Sequence, residues 1–369
     1  MKFKFYKKES KLYDFLQFPG LIFYKEGLDE SEQNNNYKEF VKEISADGYM
    51  DFVNRAEEQL KSFISEIEIF YNKHIHSDYD FIDLILKAND IFGYEDEKSY
   101  LNMLLSLDKD EINSSIVYSI MMKDGEYSSY SEEVFNKAKE ISKDKDKLIS
   151  FIKALPAEGA VKWSLFLIVE DPVVYMKKYV NLMNRILPIF EELYKPYEEK
   201  VNSYGEYLAN FLNENGARGL EEITYGVVDE KVLSHEENNL LISVTSAYTI
   251  RLMPITKKSF LAWGLKMEEA FKKMKEINEN KINERVQIFK NLGDKTRYEV
   301  LRLVASGKTS TKEIAETLGV TSATISYHLN NLVTAKIIRL DKTDNKFGYV
   351  IDYELLENVI EELKKDLKS

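Results

Sequence analysis

The stretch from Asp294 to Leu332 constrains this chain most, because it stops and restarts a helix twice in quick succession. Asp294 can cap a helix whose inward face holds Val300, Leu301 and Val304, and Gly307 stops it. Ser310 and Glu313 have the S-x-x-E spacing of a capping box and open a short helix with Ile314, Ala315 and Leu318 inward. Gly319 suits a left-handed turn, since it has no Cβ to clash. Thr321 can cap the next helix, whose inward face is Ile325, Leu329, Leu332 and Val333. Two short helices joined by a tight glycine turn make a helix-turn-helix. Two β-type runs follow, Ile337–Leu340 and Phe347–Asp352, and the polar stretch Asp341–Lys346 between them predicts a hairpin. A last helix carries Leu355, Leu356, Val359, Ile360, Leu363 and Leu367.

In such a unit the second helix enters the major groove, and its outward residues meet the bases. Here those are Ser322, Ala323, Ser326, Tyr327 and Asn330. Serine can contact several base edges, alanine can meet a thymine methyl, and asparagine can pair with adenine. Lys312, Lys336, Arg339, Lys342 and Lys346 stand on the first helix and the hairpin as candidates for phosphate contacts. The competing reading is a solvated polar surface on a module used for protein contacts. The small, polar character of the outward face, with cations flanking it, favours double-stranded DNA. No Lys or Arg lies between Thr321 and Ala335, which predicts modest affinity for one module and a homodimer on a two-fold operator. The helix from Leu265 to Leu292 and the last helix are candidates for the dimer interface.

The runs LGDKTRYEVLRLV and STKEIAETLGVTSATISYHLNNLVTAKII resemble the ArsR-type winged helix-turn-helix repressors. That resemblance covers about 282 to 367, roughly a quarter of the chain. It implies a sequence-specific transcriptional regulator, and the lack of cysteine fits a place in the cytoplasm. Tyr327 stands where the family usually has histidine, and His328 follows the family pattern, either as a contact or as a packing residue. Metal-sensing members place cysteines at the first helix of the motif, or a His/Asp set on the last helix. This chain has Ser310-Thr311-Lys312-Glu313 at the first place and acids without histidine at the second, so no metal and no cofactor is expected at those sites.

Charge supports the division of labour. The chain carries a net −12, but 11 Lys and Arg face 8 Asp and Glu between Asn283 and Tyr353, a local net of +3 against −15 elsewhere. The absence of cysteine excludes disulfides, thiolate chemistry and cysteine metal sites. The N-terminus lacks the apolar core of a secretory signal. The longest apolar run, Trp163–Val169, is far short of the ~20 residues a membrane span needs. An SGKT sequence at Ser306–Thr309 imitates a phosphate loop, but Arg302 stands where its first glycine should be.

Before the motif, apolar residues recur at three and four. One face runs through Val53, Ala56, Leu60, Phe63, Ile64, Ile67, Phe70 and Tyr71. Near Leu220 the pattern shifts, and Glu222–Val228, Asn239–Thr245 and Tyr248–Met253 read as strands. The predicted fold is mainly α. Residues 1–280 form a large helical domain with a small sheet at about 221–253, and residues 281–369 form the winged helix-turn-helix. His74, His76, Asp78 and Asp80 make a weak candidate metal cluster, read as solvated. Trp163, Phe166, Tyr175 and Trp263 are candidate pocket residues. The large domain is expected to sense a small molecule or a partner. The alternatives are a domain that only dimerises or recruits a protein, and an enzyme fused to the DNA-binding module; no catalytic motif supports the last.

Overall fold

Helical periodicity carries most of the chain into helices, as its stripes predict. The computed structural model describes residues 2–23, 48–71, 79–124, 129–226, 228, 233, 237–278, 281–308, 310–343 and 346–367. From β1 (Lys2–Phe5) the chain runs through α1 (Lys7–Gln17), α2 (Tyr49–Leu60), α3 (Ile64–Tyr71), α4 (Phe81–Leu86), α5 (Glu97–Ser106) and α6 (Lys109–Asp124). There follow α7 (Glu132–Ser142), α8 (Lys145–Ala154), α9 (Gly159–Glu170), α10 (Pro172–Tyr194) and α11 (Glu198–Thr224). After β2 (Glu237–Ser243), β3 (Ile250–Met253) and β4 (Phe260–Gly264) come α12 (Met267–Asn278) and α13 (Lys281–Gly293). The motif region supplies α14 (Lys295–Ala305), α15 (Thr311–Leu318), α16 (Ser322–Thr334), β5 (Ile338–Thr343), β6 (Lys346–Ile351) and α17 (Tyr353–Asp366). Two compact units result. The body comprises Phe3–Ala209 and Asn238–Met267; the reader comprises Met1–Lys2, Asn210–Glu237 and Glu268–Ser369.

The body is an aromatic-rich helical core with a sheet of order β1-β2-β4-β3. Strands β2 and β4 run parallel, pairing Asn239 with Phe260 and Ser243 with Gly264, while β3 lies antiparallel to β4. Phe15, Phe18, Phe70, Phe81, Tyr179 and Phe190 are buried and meet edge-on or tilted. Two of their hydroxyl-bearing neighbours find acceptors inside. Tyr71 Oη donates to the Leu16 carbonyl at 2.8 Å, and Tyr118 Oη to that of Ile255 at 3.0 Å. Burial above all pushes these phenols' pKa values up, so they remain neutral donors.

One buried charge organises the sheet end. The Asp14 carboxylate on α1 accepts from Ser243 Oγ and Thr245 Oγ1, both at 2.6 Å. It also accepts from the backbone N–H of Val244 at 2.7 Å and of Thr245 at 3.1 Å. Burial pushes its pKa up to about 6, against the pull of those four donors toward the ionised form.

Local pattern and structure part company in four places. The predicted strand Glu222–Val228 does not form. Glu222–Thr224 end α11, where Thr224 Oγ1 donates back to the Leu220 carbonyl at 2.7 Å, and Tyr225 and Gly226 turn with φ of 51° and 74°. The helical segment that follows Gly216 overrides the β preference of a few residues at its end. Asn213–Gly219, whose composition predicts a break, holds one: α11 is two helical segments that meet at Gly216 (φ 55°, ψ −138°). The Val53–Tyr71 stripe divides into α2 and α3 across a 3₁₀ turn at Lys61–Phe63, and Ile64 is turned outward. The helix expected over Leu265–Leu292 forms as α12 and α13. The sheet also contains β1 and β4, two strands that periodicity does not single out.

His74, His76 and Asp78 lie outside the described residues, and Asp80 belongs to the N-cap of α4. Trp163 is 64% exposed while Trp263 is fully buried in β4, so the candidate pocket residues do not share one environment. Among the described residues no helix is long and apolar enough to cross a membrane.

Candidate nucleic-acid interface

The reader is built by short-range signals acting in order. Asp294 Oδ1 accepts from Arg297 N at 2.8 Å and starts α14. Gly307, at φ 88°, ends that segment. Ser310 Oγ accepts from Glu313 N at 3.4 Å to start α15, while the Glu313 carboxylate pairs with Lys308 at 3.2 Å. Gly319 caps α15 in the left-handed region (φ 67°, ψ 32°). Thr321 Oγ1 accepts from Thr324 N at 3.1 Å and starts α16. Asp352 Oδ1 accepts from Leu355 N at 2.8 Å where α17 begins.

These turns fold one aliphatic core. Ile288, Val300, Leu301, Val304, Ile314, Ala315, Ile325, Leu329, Leu332, Ile337, Ile338 and Val359 are buried together, with Leu318, Val333, Leu355 and Leu356 packed at its edge. The β5–β6 hairpin pairs Ile338 with Ile351 and Thr343 with Lys346. The inward faces are those the periodicity predicts. Ile360 and Leu367 on the last helix are the exceptions, at 48% and 78% exposed.

With the inward face of α16 fixed by Ile325, Leu329 and Leu332, the outward face follows. Ser322, Ala323, Ser326 and Asn330 are exposed and Tyr327 is half-buried. The neighbouring Asn331 is committed within the helix, its Nδ2 donating to the Tyr327 carbonyl at 2.9 Å. Val320, in the turn before α16, is 38% exposed. Helical periodicity does not single it out. Its signal in the sequence is of another kind: an apolar residue directly after the turn glycine, out of register with both inward faces.

His328 is a packing residue, resolving the alternatives at that position. It is buried, with its ring edge-on to Tyr327 at 5.2 Å. Burial holds its pKa below the usual imidazole value, with smaller opposing effects from Asp294 (up) and Arg297 (down).

The expected phosphate-contact residues are placed more loosely. Lys312 is half-exposed on α15 and Arg339 is exposed on β5. Lys336 adopts a left-handed φ of 57° just after α16, and its ammonium lies 3.8 Å from Glu284. Lys342 and Lys346 belong to the paired strands β5 and β6, and their side chains lie outside the described residues. Among the described residues no group of His, Cys, Asp or Glu has the arrangement of a metal site.

The sequence of this region is similar to that of known proteins. A family model described as a helix-turn-helix domain matches residues 292–341. An arsenical resistance operon repressor of Staphylococcus aureus is 29% identical over 76 residues, covering 21% of this chain and 73% of the relative. The transcriptional repressor SdpR of Bacillus subtilis is 33% identical over 75 residues, covering 20% of this chain and 79% of the relative. The chain belongs to the ArsR-type winged helix-turn-helix family. Its likeness to these repressors is confined to the C-terminal region. No solved structure matches the chain.

Proposed function

We propose that the protein is a sequence-specific transcriptional regulator of the cytoplasm that reads double-stranded DNA through α16 as a homodimer. The observation that carries this reading is the polar, exposed face of α16, a helix started by the Thr321 cap and oriented by its buried aliphatic face. That is the arrangement in which a second helix reaches base edges while its first helix and hairpin touch phosphates. The relatives' names, operon repressor and transcriptional repressor, agree with it. A gel shift on duplexes selected from a random pool tests it. Ser326→Ala and Tyr327→Ala are expected to weaken binding by about 1–3 kcal/mol each. Equal binding by both variants and the parent chain would remove α16 from the interface.

The dimer reading rests on α17. Tyr353, Ile360 and Leu367 are exposed at seven-residue spacing, 61%, 48% and 78% respectively. Exposed Glu357 and Lys364 lie between them. An antiparallel two-fold pairing centred on Ile360 sets Tyr353 against Leu367 and Glu357 beside Lys364 of the second copy. Ile360→Glu is expected to yield monomers in sedimentation and to lose operator binding. A dimer that survives the change places the interface elsewhere.

The body is read as the responsive module, without enzymatic activity, in which a small molecule or a partner protein shifts the spacing of the two reading helices. One observation favours a partner over a small molecule: Trp163, Leu167 and Val174 are exposed on α9 and the start of α10, at 64%, 39% and 48%.

A further inference from the structure

The reading face of α16 carries no charge of either sign, and this limits which bases it can choose. Between Val320 and Ala335 the chain has no Lys, Arg, Asp or Glu. In the major groove guanine is read chiefly by a guanidinium or ammonium at O6 and N7, and cytosine by a carboxylate at its amino group. Neither reader stands on this face. The serine and tyrosine hydroxyls both donate and accept, so they do not separate one base pair from another by themselves.

The groups that do discriminate point the same way. Val320 and Ala323 are exposed apolar groups three residues apart at the leading end of the helix. An apolar group in the major groove meets the thymine C5 methyl, the one apolar feature there. Asn330, exposed further along the face, has the amide that pairs with adenine N6 and N7. The described cations expected at phosphates lie off this face. Lys312 is on α15, Lys336 sits by Glu284 after the helix ends, and Arg339 is on β5, positions suited to phosphate rather than to base edges.

We infer that the core of each half-site is A·T-rich, with thymine methyls against Val320 and Ala323 and an adenine opposite Asn330. The inference rests on the DNA-reading role proposed above and adds the base composition of its target.

The experiment has two arms, both using the full chain. In the first, duplexes are selected from a random pool and sequenced. In the second, the winning duplex is rebuilt with deoxyuridine for thymidine in the half-site core, a change that removes only the C5 methyl. The expected results are an A·T core and a loss of about fourfold in affinity for each contacted methyl removed. Val320→Thr and Ala323→Ser, at exposed positions where the fold is retained, are expected to shrink the thymidine-to-deoxyuridine ratio toward one.

A selected core that fixes G·C pairs at the contacted positions overturns the inference while leaving DNA reading in place. So does a deoxyuridine duplex bound as tightly as its parent. Recovery of no enriched sequence at all overturns both.

Discussion

The body and the reader solve the problem of buried polarity in opposite ways. The body takes polar groups inside and matches its most deeply placed ones with specific partners: Asp14 with four donors, Tyr71 with the Leu16 carbonyl, Tyr118 with that of Ile255. The reader's central cluster is aliphatic, and of the reader's described polar residues Thr224, Asn291 and His328 are the buried ones. A core of matched polar groups is specific and intolerant of change, because each lost partner strands another group. An aliphatic core tolerates change outside it, so the surface of α16 is free to vary without loss of the fold.

The largest expected effect breaks the reader and spares the body. Leu329→Ala removes a fully buried side chain and should cost about 2–5 kcal/mol. A melting curve should show the reader's transition displaced, the body's retained and DNA binding lost. A single displaced transition would mean the two units do not melt separately.

Next comes the pH dependence of the body. The folded pKa of Asp14, about 6, lies above its unfolded value of 3.8, so the folded state holds the proton more tightly. Its contribution to stability is therefore complete below pH 3.8 and is lost as pH rises through 6, a difference of about 3 kcal/mol. Asp14→Asn removes that titration. Comparing denaturant midpoints of parent and variant from pH 4 to 7 isolates it from other carboxylates, and parallel curves would show that Asp14 does not titrate there.

A smaller effect sharpens the contrast at the turn. Gly319 has φ of 67°, and a Cβ there meets nothing within 4 Å, so Gly319→Ala carries only backbone strain. About 1–2 kcal/mol of reader stability should go, read by the same melting experiment. The smallest effect is electrostatic. Arg339→Ala is expected to flatten the salt dependence of DNA binding by about one charge while leaving both transitions where they were.

The same contrast explains what is legible in the sequence. The reader's signals are local: Asp294 to Arg297, Ser310 to Glu313 and Thr321 to Thr324 each span three residues, so the order of helices and their inward faces can be read directly. The exposure of Ser322, Ala323, Ser326 and Asn330 follows from those faces. That of Val320 does not, because a turn residue belongs to neither helix's period. In the body the decisive contacts are remote. Strand β4 reads FLAWG, an apolar run that becomes a strand through pairing with Asn239–Ser243 and Ile250–Met253. Strand β1 alternates K-F-K-F, a period-two signal too short to weigh by itself. Glu222–Val228 misleads because its first residues finish the helical segment that follows Gly216.

Asp14 also sets a schedule for synthesis. Its partners Ser243, Val244 and Thr245 lie about 230 residues downstream, 229 to 231 by position. An emerging chain holds α1 and its carboxylate, but none of the four donors until that loop has left the ribosome. Long-range closure of this kind is slow, and it leaves apolar faces uncovered while it waits. The reader's helix-turn-helix needs no such wait, since its caps are complete within a few residues of each helix start. The helix-turn-helix is thus made after the strands of the body's sheet yet closes on contacts far shorter in sequence than theirs.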